Sequence, residues 1–217
     1  MKSLRGYPFT GLYAITDAAL KGQAIETQVE LAIRGGARVV QYRDKSQDAH
    51  QRKAEAQAIH AVCRSFDVPL LINDDVQLAA DIDADGVHLG RDDANLDIAR
   101  KQLGPQAIIG VSCYNRLQLA ERAVEAGADY VAFGRFFPSQ SKPEAIHAGT
   151  ELLNVARAKL DCPIVAIGGI TPDNGRQLIQ AGADMLAVIR GVFAADDITQ
   201  AARSLHDLFE SDPENNP

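Results

Sequence analysis

Eight short apolar runs alternate with helical or polar segments along 217 residues, and this alternation predicts an α/β fold, a single-domain (β/α)8 TIM barrel over residues 1–210. Two further observations point the same way. Most of the runs lack in-out alternation, as strands buried on both faces do. A helix-stopping segment also recurs ahead of strands, as Gly35-Gly36-Ala37-Arg38, Asp83-Ala84-Asp85, Ala126-Gly127-Ala128-Asp129 and Ala181-Gly182-Ala183-Asp184. The chain is a little shorter than the roughly 250 residues typical of this fold, so no large inserted domain is expected. A doubly wound open sheet is the alternative, but no GxGxxG follows the first strand to support it.

The elements follow in order. Residues 11–16 read as the first strand, and 23–34 as a helix whose Ile25, Val29, Ala32 and Ile33 fall near helical spacing before Gly35-Gly36 stops it. The second strand, 37–40, runs into Gln41-Tyr42-Arg43-Asp44-Lys45. A long helix over 48–66 leads to a third strand at 69–74, and further strands are expected at 86–89, 107–111, 130–133, 163–167 and 185–189. Residues 211–217 are polar and end in proline, which predicts a disordered tail.

Composition bounds the function. With 46% hydrophobic and 24% charged residues the chain can bury one core. A net charge of −7 argues against a nucleic-acid or anionic-membrane partner, so any anion site must be local. Cys63, Cys113 and Cys162 are far apart with no CxxC pair, which suggests neither a disulfide framework nor a zinc cluster. Residues 1–10 lack the apolar core of a signal peptide, and no run approaches the roughly 18 apolar residues of a membrane span. A soluble cytoplasmic protein is expected, with nothing to specify its oligomeric state.

Barrel sites lie where the strands end, so polar residues at the two strand ends carry different meanings. Asp85, Asp129 and Asp184 enter strands, whereas Arg43, Lys45, Asn73, Asp74, Arg91, Asp92, Asp93, Ser112, Arg135, Lys142 and Arg190 leave them. A basic rim on an acidic protein suits a phosphorylated small molecule. Because side chains alternate, Gln41, Arg43 and Lys45 share one face of their strand, opposite Tyr42 and Asp44. Asp74 and Asp93 fall at adjacent strand ends, as a Mg2+ site bridging a diphosphate requires, or as partners of Arg43 and Arg91. Gly168-Gly169 and Ile189-Arg190-Gly191 follow strands seven and eight, where barrels often bind phosphate; a plain tight turn is the other reading.

The loop after strand six, from Gly134 to Pro143, reads as a lid or as ordinary loop punctuation. His88, inside Gly86-Val87-His88-Leu89-Gly90, reads as a hydrogen-bonding site residue or a satisfied core histidine, and His50, His60 and His206 as surface residues on helices. No Ser-His-Asp order, HExxH or Walker motif is present.

Together Leu12-Tyr13-Ala14-Ile15-Thr16, Gln41 to Lys45, Ile72-Asn73-Asp74, Gly86 through Asp93, Gly110-Val111-Ser112, Pro138 to Lys142, Gly168-Gly169-Ile170 and Ala181-Gly182-Ala183-Asp184 resemble the thiamine phosphate synthase family. The resemblance implies a Mg2+-dependent barrel acting on small phosphorylated substrates. Such an enzyme joins 4-amino-2-methyl-5-hydroxymethylpyrimidine diphosphate to 4-methyl-5-(2-phosphoethyl)thiazole, or its carboxylated form, and releases diphosphate. It further implies that Gln41, Tyr42, Arg43, Asp44, Lys45, Asn73, Ser112 and Lys142 bind the pyrimidine diphosphate, with Arg43, Lys45 and Lys142 catalytic. Asp74 and Asp93 would hold the metal. Ser139, Gln140, Ser141, Gly169, Ile189 and Arg190 would bind the thiazole phosphate. The chain departs from the family's usual pattern at Ser139 and Ser141 in place of threonines, Arg91 in place of glutamine, and Arg190 in place of a small residue. A related thiazole tautomerase, which has no need of the full diphosphate set, and a non-catalytic ligand-binding barrel, which would bind without turnover, are the rival expectations.

Overall fold

Short strands that are apolar on both faces need a second layer on each side, and closing the sheet on itself supplies one of them. In the computed structural model, which describes residues 3–4, 6–17, 23–90, 96–138 and 147–210, the sheet is closed. Its strands are β1 (Gly11–Ile15), β2 (Ala37–Tyr42), β3 (Leu70–Asn73), β4 (Gly86–Leu89), β5 (Ile108–Tyr114), β6 (Tyr130–Gly134), β7 (Ile164–Ile167) and β8 (Met185–Val188). They pair in parallel in chain order, and β8 returns to β1. This is the expected (β/α)8 barrel. The expected tail at 211–217, like residues 91–95 and 139–146, lies outside the described residues.

Around the barrel lie α1 (Ile25–Arg34), α2 (Ala49–Ser65), α3 (Val76–Asp81), α4 (Leu96–Leu103), α5 (Leu117–Glu125), α6 (Glu151–Lys159), α7 (Pro172–Gln180), α8 (Arg190–Phe193) and α9 (Ile198–Glu210). Side-chain acceptors start two of them: Asp48 accepts from Gln51 N at 2.9 Å for α2, and Asp75 from Leu78 N at 2.9 Å for α3. The recurrent stop segments end their helices through a left-handed residue, with φ of 105° at Gly36, 55° at Asp83, 90° at Gly127 and 109° at Gly182. Gly36 is required twice over, since a Cβ there would also lie 2.6 Å from the His206 ring.

Strand alternation sorts the side chains into two cores. Leu12, Val40, Tyr42, Leu70, Ile72, Val87 and Leu89 face the helices, while Tyr13, Val39, Leu71, Ile108, Tyr130, Val165, Met185 and Ala187 fill the barrel. An antiparallel ribbon, Ser3–Leu4 against Tyr7–Pro8, precedes β1 and is not evident in the sequence pattern. Leu4 and Tyr7 pack against the interior cluster, and buried Phe9 meets the Tyr130 ring at 4.9 Å. The ribbon therefore belongs to the amino end of the barrel, where the Tyr7 hydroxyl donates to Asp85.

The acidic residues that enter strands share one function. Asp85, Asp129 and Asp184 accept the backbone N–H of Leu70, Ile109 and Ile164, at 2.8, 2.8 and 2.7 Å, each on the preceding strand. Arg100 pairs with Asp129 at 2.6 Å and Arg157 with Asp184 at 2.9 Å. Asp129 and Asp184 thus each tie two strand starts and a helix together. Asp184→Ala is expected to strand the Ile164 N–H and the Arg157 charge, costing about 2–4 kcal/mol in urea unfolding. An unchanged unfolding midpoint would show the clamp to be dispensable.

The histidine expectation needs one correction. His60 is buried, not on the surface, because it shares the inward stripe of α2 with Ala56, Ile59 and Cys63, and its Nε2 lies 4.0 Å from Asp85. His206 is only partly exposed, and His50 is exposed as expected. All three cysteines are free, and burial pushes the Cys63 and Cys113 thiols up to about 12, so both remain protonated in the core. Among the described residues, no helix is long and apolar enough to cross a membrane.

Candidate active site

Register decides what reaches the barrel mouth. Gln41 lies opposite Ile15, Asn73 opposite His88 and Ser112 opposite Ala132, so these polar groups occupy inward positions towards the carboxyl ends of β2 to β5. There they border a cavity of about 350 Å³. Gln41, Arg43, Asn73, His88 and Ser112 contribute to its lining, as do Gly168, Gly169, Ile189, Arg190 and Gly191 after β7 and β8. Arg135, after β6, adds another cation. Among the described lining residues there are three arginines and no carboxylate, on a chain whose net charge is −7. Such a lining favours an anion.

Local structure explains how each group is held. The Arg43 backbone N–H donates to Thr16 Oγ1 at 2.9 Å, and Thr16 N donates to the Gln41 carbonyl at 2.9 Å, so the end of β1 anchors the end of β2. Gly168 and Gly169 have φ of 107° and 65°. A Cβ on Gly169 would lie 2.4 Å from the Pro138 carbonyl oxygen, which means that the loops after β6 and β7 touch backbone to backbone. Phe137 N donates to the Gly168 carbonyl at 3.0 Å and seals that junction.

Several expected site residues do not line this cavity. Tyr42 packs in the outer core, and its hydroxyl donates to Glu55 at 2.8 Å, because it occupies the outward face of β2. Asp44 is turned back on its own loop, accepting from Ser46 N at 2.8 Å and Ser46 Oγ at 2.7 Å. Lys45 is exposed and does not line the cavity. Asp74, at φ 63°, stands just past β3 outside the lining; its Oδ1 accepts from Gly90 N at 3.0 Å and its Oδ2 from Asn73 Nδ2 at 2.5 Å. Asp93, Ser139, Gln140, Ser141 and Lys142 lie outside the described residues, as does most of the expected lid.

Two site residues went unrecognised in the sequence. Tyr13 and Tyr130 look like ordinary strand aromatics, yet their hydroxyls meet at 2.9 Å inside the barrel. Tyr130 also reaches His88 Nδ1 at 2.8 Å and stacks on its ring at 5.6 Å. The available signal was a hydroxylated aromatic at an inward position of two otherwise apolar strands. Burial pushes both phenols far above their usual range, so they act as neutral donors and acceptors.

A closed parallel barrel whose carboxyl mouth carries guanidiniums, an amide wall and a glycine turn is a small-molecule anion-binding (β/α)8 barrel. The comparisons with known proteins narrow that class. The model of the family described as Thiamine monophosphate synthase matches residues 12–192. The chain is 54% identical over 202 residues to the thiamine-phosphate synthase of Nitrosococcus oceani, covering 93% of each chain. It is 50% identical over 211 residues to that of Thiobacillus denitrificans, covering 97% of this chain and all of the other. The solved structure of thiamine phosphate pyrophosphorylase from Pyrococcus furiosus superposes with a TM-score of 0.85 at 34% identity, covering 94% of this chain and 96% of that one. The chain belongs to the thiamine monophosphate synthase family.

Proposed function

We propose that the protein forms thiamine phosphate by joining 4-amino-2-methyl-5-hydroxymethylpyrimidine diphosphate to 4-methyl-5-(2-phosphoethyl)thiazole, or its carboxylated form, with release of diphosphate. One observation carries the reading: residues from β2, β3 and β5 and the turns after β7 and β8 border a single cavity whose described lining is cationic. Gln41, Asn73 and Ser112 face the pyrimidine side in this reading. Arg43 meets the diphosphate, joined by Lys45 and Lys142. Gly169 and the Ile189-Arg190 backbone, with Ser139, Gln140 and Ser141, receive the thiazole phosphate.

The chemistry needs little proton transfer. The thiazole nitrogen attacks through a lone pair and has no proton to lose, so no general base is required. The difficult event is departure of diphosphate from the methylene carbon, leaving positive charge that the aminopyrimidine ring delocalises. Arg43 stabilises the charge gathering on the leaving group, and the cavity excludes water from the electron-poor carbon.

The donor set near β3 fits a hard divalent cation. Asp74 would offer carboxylate oxygens beside the Asn73 amide, and Mg2+ needs only one or two carboxylates when phosphate oxygens and waters complete its shell. Asp74 and Asp93 would hold it. When bound it would screen the diphosphate charge. A cytoplasmic location fits an enzyme that handles phosphorylated intermediates. Incubating the two heterocycles with the protein is expected to yield thiamine phosphate and diphosphate, with most of that turnover lost in excess EDTA and restored by Mg2+. Thiazole isomerisation without diphosphate release would identify a tautomerase instead, and ligand uptake without product a binding protein.

A further inference from the structure

Five polar side chains from five strands form one hydrogen-bonded chain across the barrel interior. Gln41 Nε2 donates to the Tyr13 hydroxyl at 2.7 Å, and the Tyr13 and Tyr130 hydroxyls are 2.9 Å apart. The Tyr130 hydroxyl lies 2.8 Å from His88 Nδ1, and His88 Nε2 lies 2.9 Å from Ser112 Oγ. Both ends of the chain line the cavity.

Direction propagates along such a chain because each phenol has a single proton. With Gln41 donating to Tyr13, the arrangement that keeps both phenol protons within the chain sends the Tyr13 proton to Tyr130 and the Tyr130 proton to His88 Nδ1. In that arrangement the nitrogen is bare. His88 then carries its proton on Nε2 and gives it to Ser112 Oγ, which leaves the Ser112 proton for the cavity. At the other end Gln41 has committed Nε2 to the chain and offers its carbonyl Oε1. Tyr130, in the middle of the chain, is 0% exposed and does not line the cavity, so water is not at hand to reverse its links one at a time. Reversal with Gln41 in place would turn the Tyr13 proton out of the chain and requires Tyr130, His88 and Ser112 to turn over together, including transfer of the imidazole proton from Nε2 to Nδ1.

We propose that Tyr13, Tyr130 and His88 are positioning residues that set the hydrogen-bond polarity of the pyrimidine subsite, acceptor at Gln41 and donor at Ser112, and so select a 4-aminopyrimidine over its 4-oxo counterpart. The inference rests on the reading above that Gln41 and Ser112 face the pyrimidine. An aminopyrimidine offers an amine donor and unprotonated ring nitrogens as acceptors. The 4-oxo form places a carbonyl where the amine stood and a proton on the adjacent nitrogen, so it meets like with like. Sites that leave buried polar groups mismatched discriminate strongly.

The test compares kcat/KM for the amino and 4-oxo pyrimidine diphosphates with thiazole phosphate as co-substrate, in wild type, Tyr130→Phe and Tyr13→Phe. Wild type is expected to favour the amino compound by about 100-fold or more, and each variant to lose about tenfold or more of that preference. The loss should come mainly from the amino substrate, whose subsite is no longer held in one polarity. In parallel, 15N NMR of histidine-labelled protein without substrate, assigned with His88→Gln, reads the imidazole directly. The expected result is a bare Nδ1 and a protonated Nε2 in wild type, and a mixture of tautomers in Tyr130→Phe. A wild-type His88 protonated on Nδ1 overturns the proposal, as does undiminished discrimination in both variants. If Tyr130→Phe fails to fold, the wild-type tautomer and the Tyr13→Phe selectivity still decide it. Failure of wild type to make thiamine phosphate from the amino substrate would overturn the substrate reading, and the selectivity claim with it, whatever the tautomer shows.

Discussion

Arg43→Ala is expected to lower kcat by about 30- to 1,000-fold while leaving the protein folded, the effect of removing about 2–4 kcal/mol of electrostatic stabilisation from the departing diphosphate. The fold should tolerate the change. Arg43 is held through its backbone, by the N–H to Thr16 Oγ1, whereas its side chain borders the cavity and is only partly buried. Truncation therefore removes charge without opening a hole in either core. Arg43→Lys should recover part of the loss, because an ammonium keeps the charge but not the paired donors of a guanidinium. Rapid-quench measurement of diphosphate release reports the affected step. Turnover within about threefold of wild type, well short of one oxyanion-hole donor, would remove Arg43 from the machinery.

The second large effect is expected at Gly169→Ala, through the other substrate. The new Cβ would lie 2.4 Å from the Pro138 carbonyl oxygen and 2.8 Å from that of Phe137, contacts with backbone that a side-chain adjustment cannot relieve. Its φ of 65° adds strain. The loops after β6 and β7 must separate, and the proposed phosphate cradle goes with them. A loss of about 2–3 kcal/mol corresponds to a rise in KM for the thiazole phosphate of about 30- to 150-fold. KM for the pyrimidine diphosphate should move by less than about threefold, because its wall is built by β2, β3 and β5. Equal changes in both constants would mean that Gly169 supports the mouth as a whole.

Those two positions show how unevenly the site could be read beforehand. Arg43 and Gly169 were both evident in the sequence, since a cation at a strand end and a Gly-Gly after the seventh strand have meaning once a barrel is inferred. Tyr42 and Asp44 entered the expected set through the family resemblance, although strand alternation already put them opposite Gln41 and Arg43. The structure keeps them off the cavity, Tyr42 because it points to the outer layer of β2 and Asp44 because it turns back on Ser46 beyond the strand. His60 was misplaced for a related reason: the stripe on α2 that includes Ala56, Ile59 and Cys63 is weakly apolar, and a histidine within it gives no sign that it turns inward.

What the linear chain determined by itself is the eight barrel strands and their order. Apolar runs, capping aspartates and left-handed stops act over a few residues, and so does the choice of a parallel sheet once strands and helices alternate. What only the folded barrel decided is which distant side chains share a proton. Tyr13 and Tyr130 are 117 residues apart, and their hydroxyls meet only because closure brings β1 and β6 to face each other across the interior. A hydrogen bond is sensitive to tenths of an ångström, whereas a sequence pattern specifies only which side of a strand is buried.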